Sequence, residues 1–213
     1  MNLEVFNRGR FNQADALTIR KQFELDEHHN ILLFVGRMVS EKGIEELVDA
    51  FCKFYEKHMD YRLVLIGPYE PERDSISAAI MSHIDSHDAI LHLHWSTDIP
   101  LWMYMAKAFV LPSYREGLAN VLLEAAAMRC LLMVSDIDGN LNLVPDETCG
   151  ILFAPQSTEA LYSAMLSLHS LTELDYTERA TKPFEIVQAH YSQEQVHTHL
   201  ATAYFRLLQE KNP

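Results

Sequence analysis

Ile31-Leu32-Leu33-Phe34-Val35-Gly36-Arg37 is followed, after six intervening residues, by Ile44-Glu45-Glu46-Leu47-Val48-Asp49-Ala50-Phe51-Cys52-Lys53-Phe54-Tyr55. The first run is apolar without alternation, the pattern of a strand covered on both faces. In the second, Ile44, Leu47, Val48, Phe51 and Tyr55 recur at helical spacing and mark one apolar face. A buried strand feeding an amphipathic helix is the first half of a βαβ unit, whose right-handed crossover returns the chain to a parallel neighbour.

Farther along the chain, short apolar runs recur at residues 63–66, 90–93, 109–111, 131–134 and 151–153. Helical patterns lie at residues 121–128 and 158–168. This alternation predicts an α/β protein with a single doubly wound, Rossmann-like parallel sheet and C-terminal helices. Its ligand site is expected at the carboxyl ends of the strands. From about Thr172 the pattern is helical only. Tyr191-Ser192 reads as a break, with Ser192 as N-cap of a last helix carrying Val196, Leu200, Tyr204 and Leu208. The expected divisions are residues 1–30 as a connecting segment with a leading helix, 31–190 as the sheet domain, and 191–213 as a terminal helix.

The composition is ordinary for a globular chain, but the formal net charge is -13. Such a field repels polyanions, so neither nucleic acid nor an anionic bilayer is an expected partner. Any anionic ligand must be held by a few local cations. Cys52, Cys130 and Cys149 are odd in number and lack CxxC spacing, which predicts buried reduced thiols rather than disulfides or a zinc knuckle. Met1 to Gln13 carries no apolar core of a secretory leader, and no stretch is long and apolar enough to span a membrane.

Two segments sit where strand ends are expected. In Gly36-Arg37-Met38-Val39-Ser40-Glu41-Lys42-Gly43, a glycine lets backbone approach a ligand, Arg37 offers a planar fork for phosphate oxygens and Lys42 adds a point charge. On spacing alone, two solvated loop cations are the simpler reading. In Leu111-Pro112-Ser113-Tyr114-Arg115-Glu116-Gly117-Leu118-Ala119-Asn120-Val121-Leu122-Leu123-Glu124, Pro112 ends a strand and Gly117 relaxes the turn into a helix. Backbone donors of Leu118, Ala119 and Asn120 would then face the strand ends. Glu116 and Glu124 are carboxylates able to accept from vicinal hydroxyls, which suits a sugar–phosphate ligand.

These motifs in this order, with Leu63-Val64-Leu65-Ile66-Gly67 between them, resemble the C-terminal, donor-binding domain of the GT-B fold in group 1, family 4 retaining glycosyltransferases. The resemblance runs from about Leu3 to the C-terminus. It implies that Arg37 and Lys42 hold and neutralise the diphosphate of a nucleoside diphosphate sugar. It further implies that Glu116 contacts the transferred sugar, that Gly36, Gly117, Leu118, Ala119 and Asn120 supply close backbone, and that Glu124 binds ribose hydroxyls. His94 would touch the nucleotide base, or else pack. No metal and no further cofactor are expected, because cations and a helix terminus take the metal's role. The implied setting is bacterial lipopolysaccharide, capsule or exopolysaccharide synthesis, with an acceptor glycan or lipid-linked sugar. The implied location is the cytoplasm, with peripheral attachment to the inner membrane through a missing N-terminal domain. Residues Asn2 to Phe11 resemble the segment just after the family's interdomain crossover, so the chain alone is expected to be inactive. The alternative is a truncated, non-catalytic nucleotide-sugar-binding module.

Three residues depart from the pattern: Arg129 where the family has glycine at a helix end, His94 where glycine is common, and Lys107 where an acid is usual. Other chemistries lack support. His92 and His94 on one strand face, and His197 and His199 on a helix, have no third ligand at metal spacing. Ser113 lacks a nucleophile elbow and reads as ordering its loop. Tyr114 and Arg115 either line a pocket or face solvent, and Asp138-Gly139 reads as a turn.

Overall fold

The computed structural model describes residues 3–70, 72, 74–192, 194, 195 and 197. The terminal-helix positions Val196, Leu200, Tyr204 and Leu208, and Asn2, lie outside the described residues. Helix α1 (Gln13–Gln22) starts at a reciprocal capping box between Asn12 and Asp15. It leads to β1 (Asn30–Val35), α2 (Ile44–Tyr55), β2 (Tyr61–Ile66), α3 (Ala78–Ser86) and β3 (Ile90–Leu93). The second half is α4 (Ile99–Met105), β4 (Ala106–Leu111), α5 (Asn120–Ala127), β5 (Leu131–Ser135), α6 (Asp138–Leu141), β6 (Ile151–Phe153), α7 (Thr158–Ser170) and α8 (Glu173–His190).

The six strands form one sheet in the order β3-β2-β1-β4-β5-β6, and every pairing is parallel. All six apolar runs are strands. The inner ones lack alternation because helices cover both faces: Ile31, Leu32, Leu33 and Phe34 are all fully buried. Phe51 and Phe54 of α2 are fully buried as well, in a helix that packs against α7. Burial of side chains this size is worth about 1.5–3 kcal/mol each.

Two helices escape the sequence reading. The seven residues of α4 are too few to display a period, although Trp102 at its centre is 1% exposed. In α3 only Ile80 and Ile84 are buried, one narrow stripe. Asp138-Gly139 is not a simple turn but the start of the single helical turn α6.

Arg129 does occupy a left-handed position, with φ 53°. Cys130 N–H donates to the Ala125 carbonyl at 3.0 Å and Arg129 N–H to that of Ala126 at 2.9 Å, the paired bonds of a Schellman terminus. The geometry the family assigns to glycine is therefore kept, at a cost of roughly 1–2 kcal/mol for a side-chain-bearing residue. Lys107 holds its ammonium 4.3 Å above the Tyr176 ring, and the Tyr176 hydroxyl donates to the Lys107 carbonyl at 2.7 Å, which ties α8 to β4.

Candidate active site

Between β1 and β4 the strand order reverses: one crossover runs outward to β2 and the other to β5. Loops leaving the two strands diverge there, so a crevice opens at their carboxyl ends. A cavity of about 270 Å³ occupies this place, lined by Phe34, Val35, Gly36, Arg37, Lys42, Leu111, Glu116, Ala119 and Val121.

Backbone packing brings the two loops together. Gly43, at φ 68°, ends a short 3-10 turn formed by Ser40–Lys42, and a Cβ there would collide with the Pro112 carbonyl. Tyr114 N–H donates to the Glu41 carbonyl at 2.9 Å across the same seam. Lys42 is thereby set against Glu116: Nζ lies 2.5 Å from Oε1, with the side chains 16% and 12% exposed. Arg37 donates to Glu70 at 3.0 Å and to Glu41 at 3.3 Å. The Glu70 hydrogen bond is the main reason its pKa stands above the ordinary arginine value.

Glu116 is fixed from behind by polar groups. Ser113 Oγ donates to Glu116 Oε1 at 2.7 Å, Ser135 Oγ donates to the Ser113 carbonyl at 2.5 Å, and Asn140 Nδ2 donates to the Ser135 carbonyl at 2.9 Å. Ser113, Ser135 and Asn140 are all fully buried, so the chain of bonds is shielded from water. Gly139 presses α6 onto the backbone of Glu116 and Gly117, leaving no room for a Cβ. Ser113 thus orders the loop.

The remaining residues fall unevenly around the crevice. Ala119, the N-cap of α5, provides no side-chain acceptor for the first turn of the helix. Leu118 is 39% exposed. Gly117 corrects the sequence reading, because nothing lies within 4 Å of a Cβ built there and the turn itself does not demand glycine. Open space at that point is suited to a ligand pressed against backbone. Glu124, farther along α5, is not part of the cavity wall. It is half-buried with no hydrogen bond or ion pair among the described residues, and burial alone pushes its pKa up. His94 lies just beyond β3, exposed, its ring 4.7 Å from His92 and 5.8 Å from Tyr69. It also stands outside the cavity wall. Tyr114 turns toward α2, its hydroxyl donating to Glu46 at 2.7 Å, with burial pushing its pKa up to about 12. The Arg115 side chain is 87% exposed.

Sequence reasoning missed Glu41 and Glu70, the carboxylates that hold Arg37, as well as Ser135 and Asn140. Glu70 is 33 residues from Arg37 and meets it only through the parallel pairing of β1 with β2.

Among the described residues one group could be considered for a metal: Asp26, His28 and His29, whose ligand atoms lie within 4.8 Å of one another. His29 Nδ1 accepts the Asp26 N–H at 3.0 Å, which places the proton of a neutral ring on Nε2, the atom that would face the ion. A metal-bound histidine has the opposite arrangement, donating through its second nitrogen. The group is a hydrogen-bonded turn.

The family model of glycosyl transferases group 1 matches residues 15–182. The chain belongs to this family. Alpha-D-kanosaminyltransferase of Streptomyces kanamyceticus is 29% identical over 76% of this chain and 42% of its own length. The capsular polysaccharide biosynthesis glycosyltransferase CapM of Staphylococcus aureus is 28% identical over 67% of this chain and 40% of its own. Among solved structures, Anabaena Alr3699/HepE in complex with UDP and glucose superposes with a TM-score of 0.84 at 15% identity, over 97% of this chain and 55% of that one. The matched part of this group 1 chain thus spans about two-fifths of the length of those curated relatives. No helix among the described residues is long and apolar enough to cross a membrane.

Proposed function

We propose that this chain binds a nucleoside diphosphate sugar as the donor half of a retaining glycosyltransferase. One observation carries the reading: Arg37 and Lys42 from the β1 loop meet Glu116 from the β4 loop in a single crevice beside the uncapped amino end of α5. The guanidinium and ammonium are the groups to receive a diphosphate, with α5 contributing backbone donors. As the sugar–oxygen bond breaks, negative charge builds on the diphosphate. Fixed donors of this type are worth about 2.7–4 kcal/mol each to a transition state. They supply what a metal ion supplies elsewhere, so metal-independent transfer is part of the proposal. Glu116 has Oε1 engaged by Ser113 and Lys42, which leaves Oε2 for a sugar hydroxyl. Glu124, half-buried and unpaired among the described residues, is the acceptor for ribose hydroxyls, and His94 is assigned to the base.

Retention follows in this reading from attack on the face from which the diphosphate leaves, without a protein nucleophile. The capsular relative supports bacterial surface polysaccharide synthesis as the setting, with a glycan or lipid-linked acceptor, in the cytoplasm or at the inner membrane. Relatives of which the match covers only about two-fifths support an acceptor site outside the matched region. A module that only binds the nucleotide sugar shares every contact above; a transfer assay with the other half supplied separates it from an enzyme.

The test is calorimetric titration with uridine, guanosine and adenosine diphosphate sugars. One of them binds, and Arg37→Ala weakens it by about 10–100-fold, or roughly 1.4–2.7 kcal/mol. Absence of binding by all three, or equal affinity in the variant, rejects the reading.

A further inference from the structure

A second concavity, of about 530 Å³, lies between the segment at residues 3–11, the end of α4, the end of α5 and α8. It sits at the amino edge of the sheet, where α4 enters β4 and Arg129 precedes β5. The candidate crevice lies at the opposite end of β4, about 20 Å away along a six-residue strand.

Its wall carries Arg8 and Arg129 and no carboxylate. In a chain of net charge -13 this is a local reversal of sign. The crevice cations Arg37 and Lys42 are matched by acids, whereas here neither guanidinium meets a carboxylate among the described residues. Each lies instead over an aromatic ring: Arg8 over Tyr104 at 4.6 Å and Arg129 over Phe184 at 4.3 Å. Stacking holds a guanidinium plane and leaves its N–H edge directed outward. Arg8 spends one donor on the Met128 carbonyl at 3.3 Å. Arg129 spends none on an oxygen among the described residues, and like Glu24 and Gln156 it stands at a positive φ that glycine would adopt freely. Strain at a residue whose charge faces a cavity points to a task for that side chain. Phe6 and Phe11 complete an apolar floor.

We infer that this concavity is a second ligand site, which takes a phosphate ester carrying an apolar, planar body. The two forks bind the phosphate oxygens and the rings bind the body. The volume lies in the range of small-molecule sites. The net charge of the chain opposes an anionic bilayer, so a soluble ester rather than a lipid headgroup is the source.

Phenyl phosphate is the probe, titrated into Arg37→Ala protein so that the crevice is silenced. A failed donor titration therefore leaves this test intact. Phenyl phosphate is expected to bind more tightly than either phenol or inorganic phosphate. Arg8→Gln and Arg129→Gly are each expected to weaken it at least tenfold. Arg129→Gly removes the backbone strain and melts no lower than its parent, so lost binding in it is not lost folding. Phenyl phosphate binding no tighter than inorganic phosphate, or unchanged in both variants, overturns the site and leaves the arginines as helix-end supports. Sedimentation with phosphatidylglycerol vesicles, abolished by Arg129→Gly, would uphold the phosphate chemistry and reassign its source to a headgroup.

Discussion

At the scale of single residues, the crevice is governed by how two carboxylates are held. Glu116 Oε1 takes two donors, Lys42 and Ser113. On the proposed reading, Ser113→Ala leaves the affinity for the free nucleoside diphosphate unchanged. The extra affinity contributed by the sugar falls about fivefold, since one hydrogen bond is worth about 1 kcal/mol. Titrating diphosphate and diphosphate sugar side by side reads the difference, and equal losses on both would mean a collapsed loop. Glu124 presents the reverse case, a half-buried carboxylate with no donor among the described residues. Burial raises its folded pKa, so the stability it contributes is complete below the ordinary carboxylate range and is lost as pH rises through the raised value. Glu124→Gln should therefore melt higher than the parent at neutral pH, with the gap closing in acid, while donor affinity drops.

At the scale of elements, helix ends decide the most. The Schellman turn of α5 is formed around Arg129 at φ 53°. Arg129→Gly relieves about 1–2 kcal/mol of backbone strain. It also forfeits about 0.5–1 kcal/mol of cation–π contact with Phe184. The net expectation is a melting temperature unchanged or raised by about 2–4 °C. A clear fall in a thermal scan would mean that the stack on α8 outweighs the strain. At the other end of α5 the control passes to its neighbours, because Gly139 of α6 fits against the backbone of Glu116 and Gly117. Gly139→Ala should displace that loop and cost more than tenfold in diphosphate sugar affinity, about 1.4 kcal/mol or more.

At the scale of the whole molecule, histidines set the response to acid. Burial is the leading cause that lowers the pKa of His29, His58 and His92, and the neighbouring His169 adds to the effect at His58. The rings of His58 and His169 are 4.1 Å apart where the ends of α2 and α7 meet. For a base with a depressed folded pKa, the stability is complete above the unfolded value of about 6.5 and is lost as pH falls through the folded value. Thermal scans should show the domain melting several degrees lower at about pH 5.5 than at about pH 7.5. The slope should shrink in His58→Gln; an unchanged slope would place the acid sensitivity elsewhere.

The residues alone determined the strands, since apolar runs of three to five residues alternate along the chain with amphipathic helical patterns, the signature of a parallel sheet covered by helices. They determined that Gly36, Arg37 and Lys42 on one loop, and Glu116 on another, stand at strand ends. Tertiary structure decided which strands are neighbours, and hence that the loops of β1 and β4 share a crevice while Glu124 and His94 stand outside its wall. It also decided the partners of the charges. Glu41 and Glu70 on Arg37, and Ser135 and Asn140 behind Glu116, are joined by contacts that no spacing along the chain encodes. An ion pair or a buried hydrogen bond depends on distance in space, and parallel pairing brings together residues that lie tens of positions apart in sequence.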